Sequence, residues 1–133
     1  MPDPRLSVDP GDPTPPYEQV RRQVADLIGA GVLRPGDRLP PLRQLAGDLG
    51  LAVGTVGRAY AELEEAGLLV SRRGAGTRVA DGVHADPVRV LEDLARDYLT
   101  RAAGLGVPGR DALEAVRRVV GDPDGGSTEA HEV

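Results

Sequence analysis

From Pro16 to Gly67 the apolar residues of this chain recur at three- and four-residue spacing in three successive blocks, each closed by glycine. Tyr17, Val20, Val24, Leu27 and Ile28 make the first stripe, which Gly29 and Gly31 end. Leu42, Leu45, Ala46 and Leu49 make the second, closed by Gly50. Val53, Val56, Ala59, Tyr60, Leu63 and Ala66 make the third, stopped by Gly67. Such spacing puts each set on one face of a helix, and glycine ends a helix readily. Pro15, Pro16 and Pro41 stand at helix starts, where the missing N–H costs nothing. Arg34-Pro35-Gly36-Asp37 is a turn between the first two helices. After Gly67 the period changes. Leu68-Leu69-Val70 and Thr77-Arg78-Val79 are strand candidates around Arg72-Arg73-Gly74-Ala75-Gly76, a pattern that predicts a hairpin. Helix, turn, two helices joined at a glycine and a hairpin, in that order, make a winged helix-turn-helix.

The flanks read differently. Residues 1–14, rich in Pro and Asp, are expected to form a disordered arm. Beyond the hairpin, Val88, Leu91, Leu94, Ala95, Tyr98, Leu99 and Ala102 fall on one helical face. Gly104 and Gly106 interrupt it, and Leu113, Val116, Val119 and Val120 mark a shorter last helix. The polar residues 123–133 are expected to be disordered. The predicted organisation is therefore a winged helix-turn-helix domain over 15–82 and a two-helix region over 83–122. The fold class is mainly α with a small β-wing. A core without Phe or Trp, and with three Tyr, gains stability by self-association. The stripe of Leu91, Leu94, Ala95, Tyr98 and Leu99, with Leu113 and Val116, exceeds what a short domain can cover and predicts a homodimer interface.

Composition removes several function classes. The absence of Cys excludes disulfides and thiolate metal sites. His84 and His131 stand far apart in flanking segments, so no metal or other cofactor is expected. No apolar run approaches the ~20 residues of a membrane span, and residues 1–16 lack the pattern of a signal peptide. A cytoplasmic protein with no membrane partner is the expectation. Glu62, Glu64 and Glu65 have no accompanying nucleophile or metal ligand and read as the solvated face of the third helix. The glycines of R-R-G-A-G-T precede a strand and lack the G-K-[ST] of a phosphate loop. The sequence thus predicts no enzyme. Its net charge of −5 is unevenly spread: residues 15–82 hold nine Arg and eight acids, whereas 83–133 hold six Arg and ten acids. Only the middle segment is fit to approach a polyanion, and its fitness depends on where each Arg sits.

The stretch from Pro15 to Val79 resembles the DNA-binding domain of the GntR family of bacterial transcription regulators. The matching pieces are L-R-P-G-D-R-L-P, L-R-Q-L-A, T-V-G-R-A-Y-A-E-L-E, G-L-L and R-R-G-A-G-T, ordered over residues 16–80. The short two-helix tail is similar to the YtrA-type subfamily, and that resemblance implies that the tail builds the dimer. It further implies a transcription regulator, a repressor by family habit, that binds a pseudo-palindromic double-stranded DNA operator. A tail of this size has room for a small crevice between helices, which leaves a small-molecule effector open, though nothing in the sequence supports one. The chain departs from the family pattern at Pro41, where relatives usually have Ser, and at Ala52-Val53-Gly54, where relatives often carry Asn or Arg. The reading from another class is a winged protein-interaction module that does not bind DNA.

Within this frame the residues expected to meet DNA can be named. Arg43, opposite the apolar face of its helix, either pairs with Asp48 or Glu62 or reaches a phosphate or base edge, the role the resemblance implies. Thr55 is placed to cap the third helix and also to contact the duplex backbone, two compatible roles. Arg58 lies one turn further and off the apolar stripe, where its forked guanidinium suits guanine O6 and N7; the competing partner is Glu62 at i+4. Ala52 and Val53 offer apolar contact to a thymine methyl, and Gly54 lets the helix start approach closely. Arg72 and Arg73, with Gly74 and Gly76, put cations on a hairpin tip fit for a narrow minor groove. Tyr17 and Tyr60 are read as core residues.

Overall fold

Residues 6–121 are described by the computed structural model. Their elements run α1 (Pro16–Gly29), α2 (Leu42–Leu49), α3 (Val53–Glu65), β1 (Leu69–Arg72), β2 (Gly76–Val79), α4 (Pro87–Gly104) and α5 (Gly109–Val120). The periodic stripes become the core as expected. Val20, Val24 and Ile28 of α1, Leu45 and Ala46 of α2, and Val56, Ala59, Tyr60 and Leu63 of α3 are buried together with Leu33, Leu39, Leu69 and Val79. Fully burying such an aliphatic side chain stabilises by about 1.5–3 kcal/mol, so this cluster supplies the main drive to fold the winged unit. α3 packs against α1, α2 and β1 and is the centre of the unit.

The joint between α2 and α3 depends on Gly50. It closes α2 at φ 69°, a left-handed conformation that glycine adopts without a Cβ clash. The Leu51 amide then donates to the Ala46 carbonyl at 2.9 Å, and the chain turns straight into α3. β1 and β2 pair antiparallel, Leu69 opposite Val79 and Arg72 opposite Gly76. The L-R-P-G-D-R-L turn runs beside β2. The Leu39 amide donates to the Thr77 carbonyl at 2.8 Å, and Arg38 forms a bridge with Arg78.

Three expectations need correction. Residues 6–14, expected to be disordered, are tied down onto α1. Gln19 accepts from the Asp9 amide at 2.8 Å and donates to the Asp9 and Thr14 carbonyls at 3.1 and 2.9 Å. Gln23 does the same with Ser7, at 3.1 and 2.6 Å, and Leu6 and Val8 pack against the core. Two glutamine side chains thus satisfy backbone groups as a neighbouring strand would. The second correction concerns Val53: counted with the apolar stripe, it is 40% exposed at the first turn of α3. In the third, residues 83–90, expected to belong to the tail, group with the winged unit, and the chain divides between Val90 and Leu91. The Asp86 amide donates to the Gly29 carbonyl at 2.7 Å, while the Asp86 carboxylate accepts from the Arg89 amide at 3.2 Å and caps α4.

The second unit begins at Leu91 and joins the rest of α4 to α5. Within it the Tyr98 hydroxyl of α4 donates to the Ala112 carbonyl of α5 at 2.7 Å, and Ala112 is buried. The expectation for 123–133 lies outside the described residues. No helix among the described residues is long and apolar enough to cross a membrane.

Candidate nucleic-acid interface

The outer face of α3 is left bare by the core. Val56, Ala59, Tyr60 and Leu63 point inward, so Ala52, Val53, Gly54 and Arg58 are exposed and Thr55 is half-buried. Ala52 is the N-cap, and no side chain caps the helix, so Thr55 does not play the capping role considered for it. Amides of the first turn of α3 therefore lack a side-chain acceptor, and the helix start carries partial positive charge. Gly54 is helical, and a Cβ placed on it would meet nothing within 4 Å. Packing does not require glycine there.

Arg43 projects from α2 and is exposed; among the described residues it forms no ion pair, with Asp48 or Glu62 or any other acid. Its guanidinium is available to solvent or to a polyanion. Arg58, in contrast, is engaged. Nε donates to Glu62 Oε2 at 3.2 Å, Nη2 donates to the Tyr17 hydroxyl at 3.0 Å, and Cζ stands 3.6 Å from the Tyr17 ring centroid. The i+4 pair weighed against a DNA role does form, yet the Arg58 side chain keeps 60% of its exposure.

That arrangement corrects two readings. Tyr17 is half-buried and carries a guanidinium on its face, whereas Tyr60 is the core residue expected of both. The Tyr60 hydroxyl donates to the Pro40 carbonyl at 2.7 Å, and burial pushes the phenol up from its ordinary range. Glu62 is not a free solvated acid: it pairs with Arg58 and lies 4.0 Å from Arg21. Arg21 in turn grips Glu18 at 2.6 Å, and that hydrogen bond holds the Glu18 carboxyl below the usual carboxylate range. Glu64 accepts from Ser71 Oγ at 2.5 Å, and Glu65 is exposed.

The wing bears its cations outward. Arg72, Arg73, Gly74 and Gly76 are exposed, and Gly74 and Gly76 take φ 80° and 74° to turn the hairpin. The tip is braced from outside the hairpin: Arg38 Nη2 donates to the Ala75 carbonyl at 3.0 Å. Arg78 Nη1 donates to the Gly36 carbonyl at 3.1 Å, anchoring the other side. Sequence reasoning missed both braces. The only available hint was Arg at 38 and 78 within segments already read as turn and strand. The Tyr17 platform had no local signal, because 41 residues separate it from Arg58.

In the tail, Leu91, Leu94, Tyr98, Leu99, Leu113 and Val116 are exposed to between 39% and 64%, and Ala95 is exposed as well. Among the described residues no group of His, Asp and Glu has the arrangement of a metal site.

Comparison with known proteins places these features. Residues 16–79 match the family described as bacterial regulatory proteins, gntR family. The chain is 40% identical to the HTH-type transcriptional regulator Rv1152 of Mycobacterium tuberculosis over 89% of its own length and 94% of that protein. It is 30% identical to the HTH-type transcriptional repressor YtrA of Bacillus subtilis, covering 91% of this chain and 96% of that one. Among solved structures, AraR(DBD) in complex with operator ORX1 superposes with a TM-score of 0.51 at 29% identity, covering 56% of this chain and 94% of that chain. These relatives are regulators and not enzymes. The winged helix-turn-helix, the short helical tail and likeness to two relatives over about nine-tenths of the chain together establish that the chain belongs to the gntR family of bacterial regulatory proteins and is a regulator of the YtrA type.

Proposed function

We propose that this chain is a sequence-specific DNA-binding repressor that acts in the cytoplasm as a homodimer on a pseudo-palindromic operator. The observation that carries the reading is the bare outer face of α3, where Val53, Gly54 and Arg58 are exposed on a helix whose opposite side is fully packed. A helix of that shape enters a major groove, and Arg58 supplies the donors that guanine accepts. Arg43 on α2 and Arg72 and Arg73 on the wing flank it with cations for phosphates or a narrow minor groove. The DNA complex of AraR and the repressor YtrA support this reading.

The dimer rests on the tail. Leu91, Leu94, Ala95, Tyr98 and Leu99 of α4 and Leu113 and Val116 of α5 are apolar side chains left exposed to water, the kind of surface that marks an interaction site when it is contiguous. A second copy covers such a face symmetrically and sets half-sites about one helical turn apart, ~34–36 Å.

Selection of bound duplexes from a random pool tests the proposal. A two-fold site is expected, with Arg58→Ala costing about 1–3 kcal/mol and relaxing one position per half-site. Arg73→Ala is expected to weaken binding evenly across sequences and to lower the salt slope by about 1. Enrichment of no sequence would overturn the proposal.

A further inference from the structure

The guanidinium of Arg58 has five N–H donors in a rigid fork. Nε and Nη2 form one edge of that fork, and this edge is occupied: Nε donates to Glu62 Oε2 at 3.2 Å and Nη2 to the Tyr17 hydroxyl at 3.0 Å. The flat face is covered as well, with the Tyr17 ring centroid 3.6 Å from Cζ. The opposite edge, formed by Nη1 and the second proton of Nη2, has no partner among the described residues, and the side chain is 60% exposed. Glu62 itself is held from the other side, 4.0 Å from Arg21, and Arg21 is fixed to Glu18 at 2.6 Å. A chain of charges thus runs from α1 to the exposed face of α3.

Each contact has a cost that surface stability alone does not explain. An acid beside a DNA-facing helix repels phosphates, and exposed ion pairs contribute little to stability. An unrestrained arginine loses rotamer freedom when it docks, so a guanidinium already clamped on one edge and one face binds with less loss.

We infer that Tyr17 and Glu62 are positioning residues for base recognition, clamping the Nε edge of Arg58 so that its Nη1–Nη2 edge is presented to one base in a fixed orientation. The inference rests on the DNA-binding reading above and deepens it. Specificity at that position then depends on the start of α1, outside the two-helix unit.

The test uses the full chain and the duplex it selects from a random pool. Arg58→Ala identifies the base pair whose preference Arg58 sets. Affinity for the preferred base pair and for each replacement there is then measured for the parent, Tyr17→Phe, Tyr17→Leu and Glu62→Gln. A bidentate arginine–guanine pair discriminates by about 5–150-fold. Tyr17→Leu, which removes ring face and hydroxyl, is expected to lose most of that ratio, while Tyr17→Phe and Glu62→Gln lose part of it, about threefold or more. Preferences at positions that Arg58→Ala leaves unchanged are expected to stay, which a merely structural role would not produce. Thermal unfolding checks each variant, and if Tyr17→Leu does not fold, Tyr17→Phe and Glu62→Gln decide. Full parental discrimination in folded variants would overturn the inference and leave the DNA-binding reading intact. The same holds if Arg58→Ala changes no base preference. A parent chain that selects no sequence would overturn both.

Discussion

At the scale of single residues, this chain places its three described tyrosines in three different jobs. Tyr60 is buried in the winged core with its hydroxyl on the Pro40 carbonyl, Tyr17 carries Arg58, and Tyr98 ties α4 to α5 through the Ala112 carbonyl. Their positions on apolar stripes look alike in sequence, and only the core role of Tyr60 was legible there. The other two roles depend on a partner contributed by another helix, which no local periodicity encodes. Tyr60→Phe isolates one of these bonds. It keeps the packing and removes the Tyr60 donor from the Pro40 carbonyl, so it is expected to cost about 1 kcal/mol in urea unfolding without altering DNA specificity. A neutral result would mean that the Pro40 carbonyl finds water instead.

At the scale of elements, the helices and hairpin were readable because their signals are local: a 3.6-residue period, glycine stops and proline starts. The docking of residues 6–14 was not. Composition argues for disorder there, and what overrides it is a pair of glutamine side chains one turn apart, acting as a strand edge. The contact of Gly29 with Val90, within the first unit, was equally hidden. A Cβ on Gly29 would stand 2.7 Å from Val90 Cγ2, so Gly29 is required by close approach and not by backbone conformation. Gly29→Ala is expected to cost about 1–3 kcal/mol by overpacking, and adding Val90→Ala to relieve part of that loss. Gly57 gives the opposite expectation. It lies inside α3, and a Cβ there would make an ordinary 3.9 Å contact with Leu42. Gly57→Ala should therefore stabilise, by up to about 1 kcal/mol, through helix propensity. Denaturant midpoints for the three variants check both signs.

At the scale of the whole molecule, a chain with a net charge of −5 meets a polyanion by concentrating its cations where they are exposed. Arg43, Arg58, Arg72 and Arg73 are all exposed on the winged unit, while the six arginines of 83–133 are outnumbered by ten acids. So few exposed cations would give one unit modest affinity, which the proposed dimer would multiply through effective concentration. A chain ending at Val90 keeps the winged unit and loses the apolar tail. It is expected to sediment as a monomer and to bind a single half-site weaker by two to four orders of magnitude, as about 10²–10⁴ is the usual gain from linkage. A dimer that persists without the tail would move the interface to the winged unit. The central claim, that this face reads DNA sequence, is tested most directly by equilibrium binding of the full chain to its selected duplex and to a scrambled duplex. The titrations are run between 50 and 200 mM salt. Two chains per selected duplex, a steep decline of log affinity with log salt, and a preference over the scrambled duplex of about 10³-fold or more are expected. Equal affinity for both duplexes at every salt concentration would contradict it.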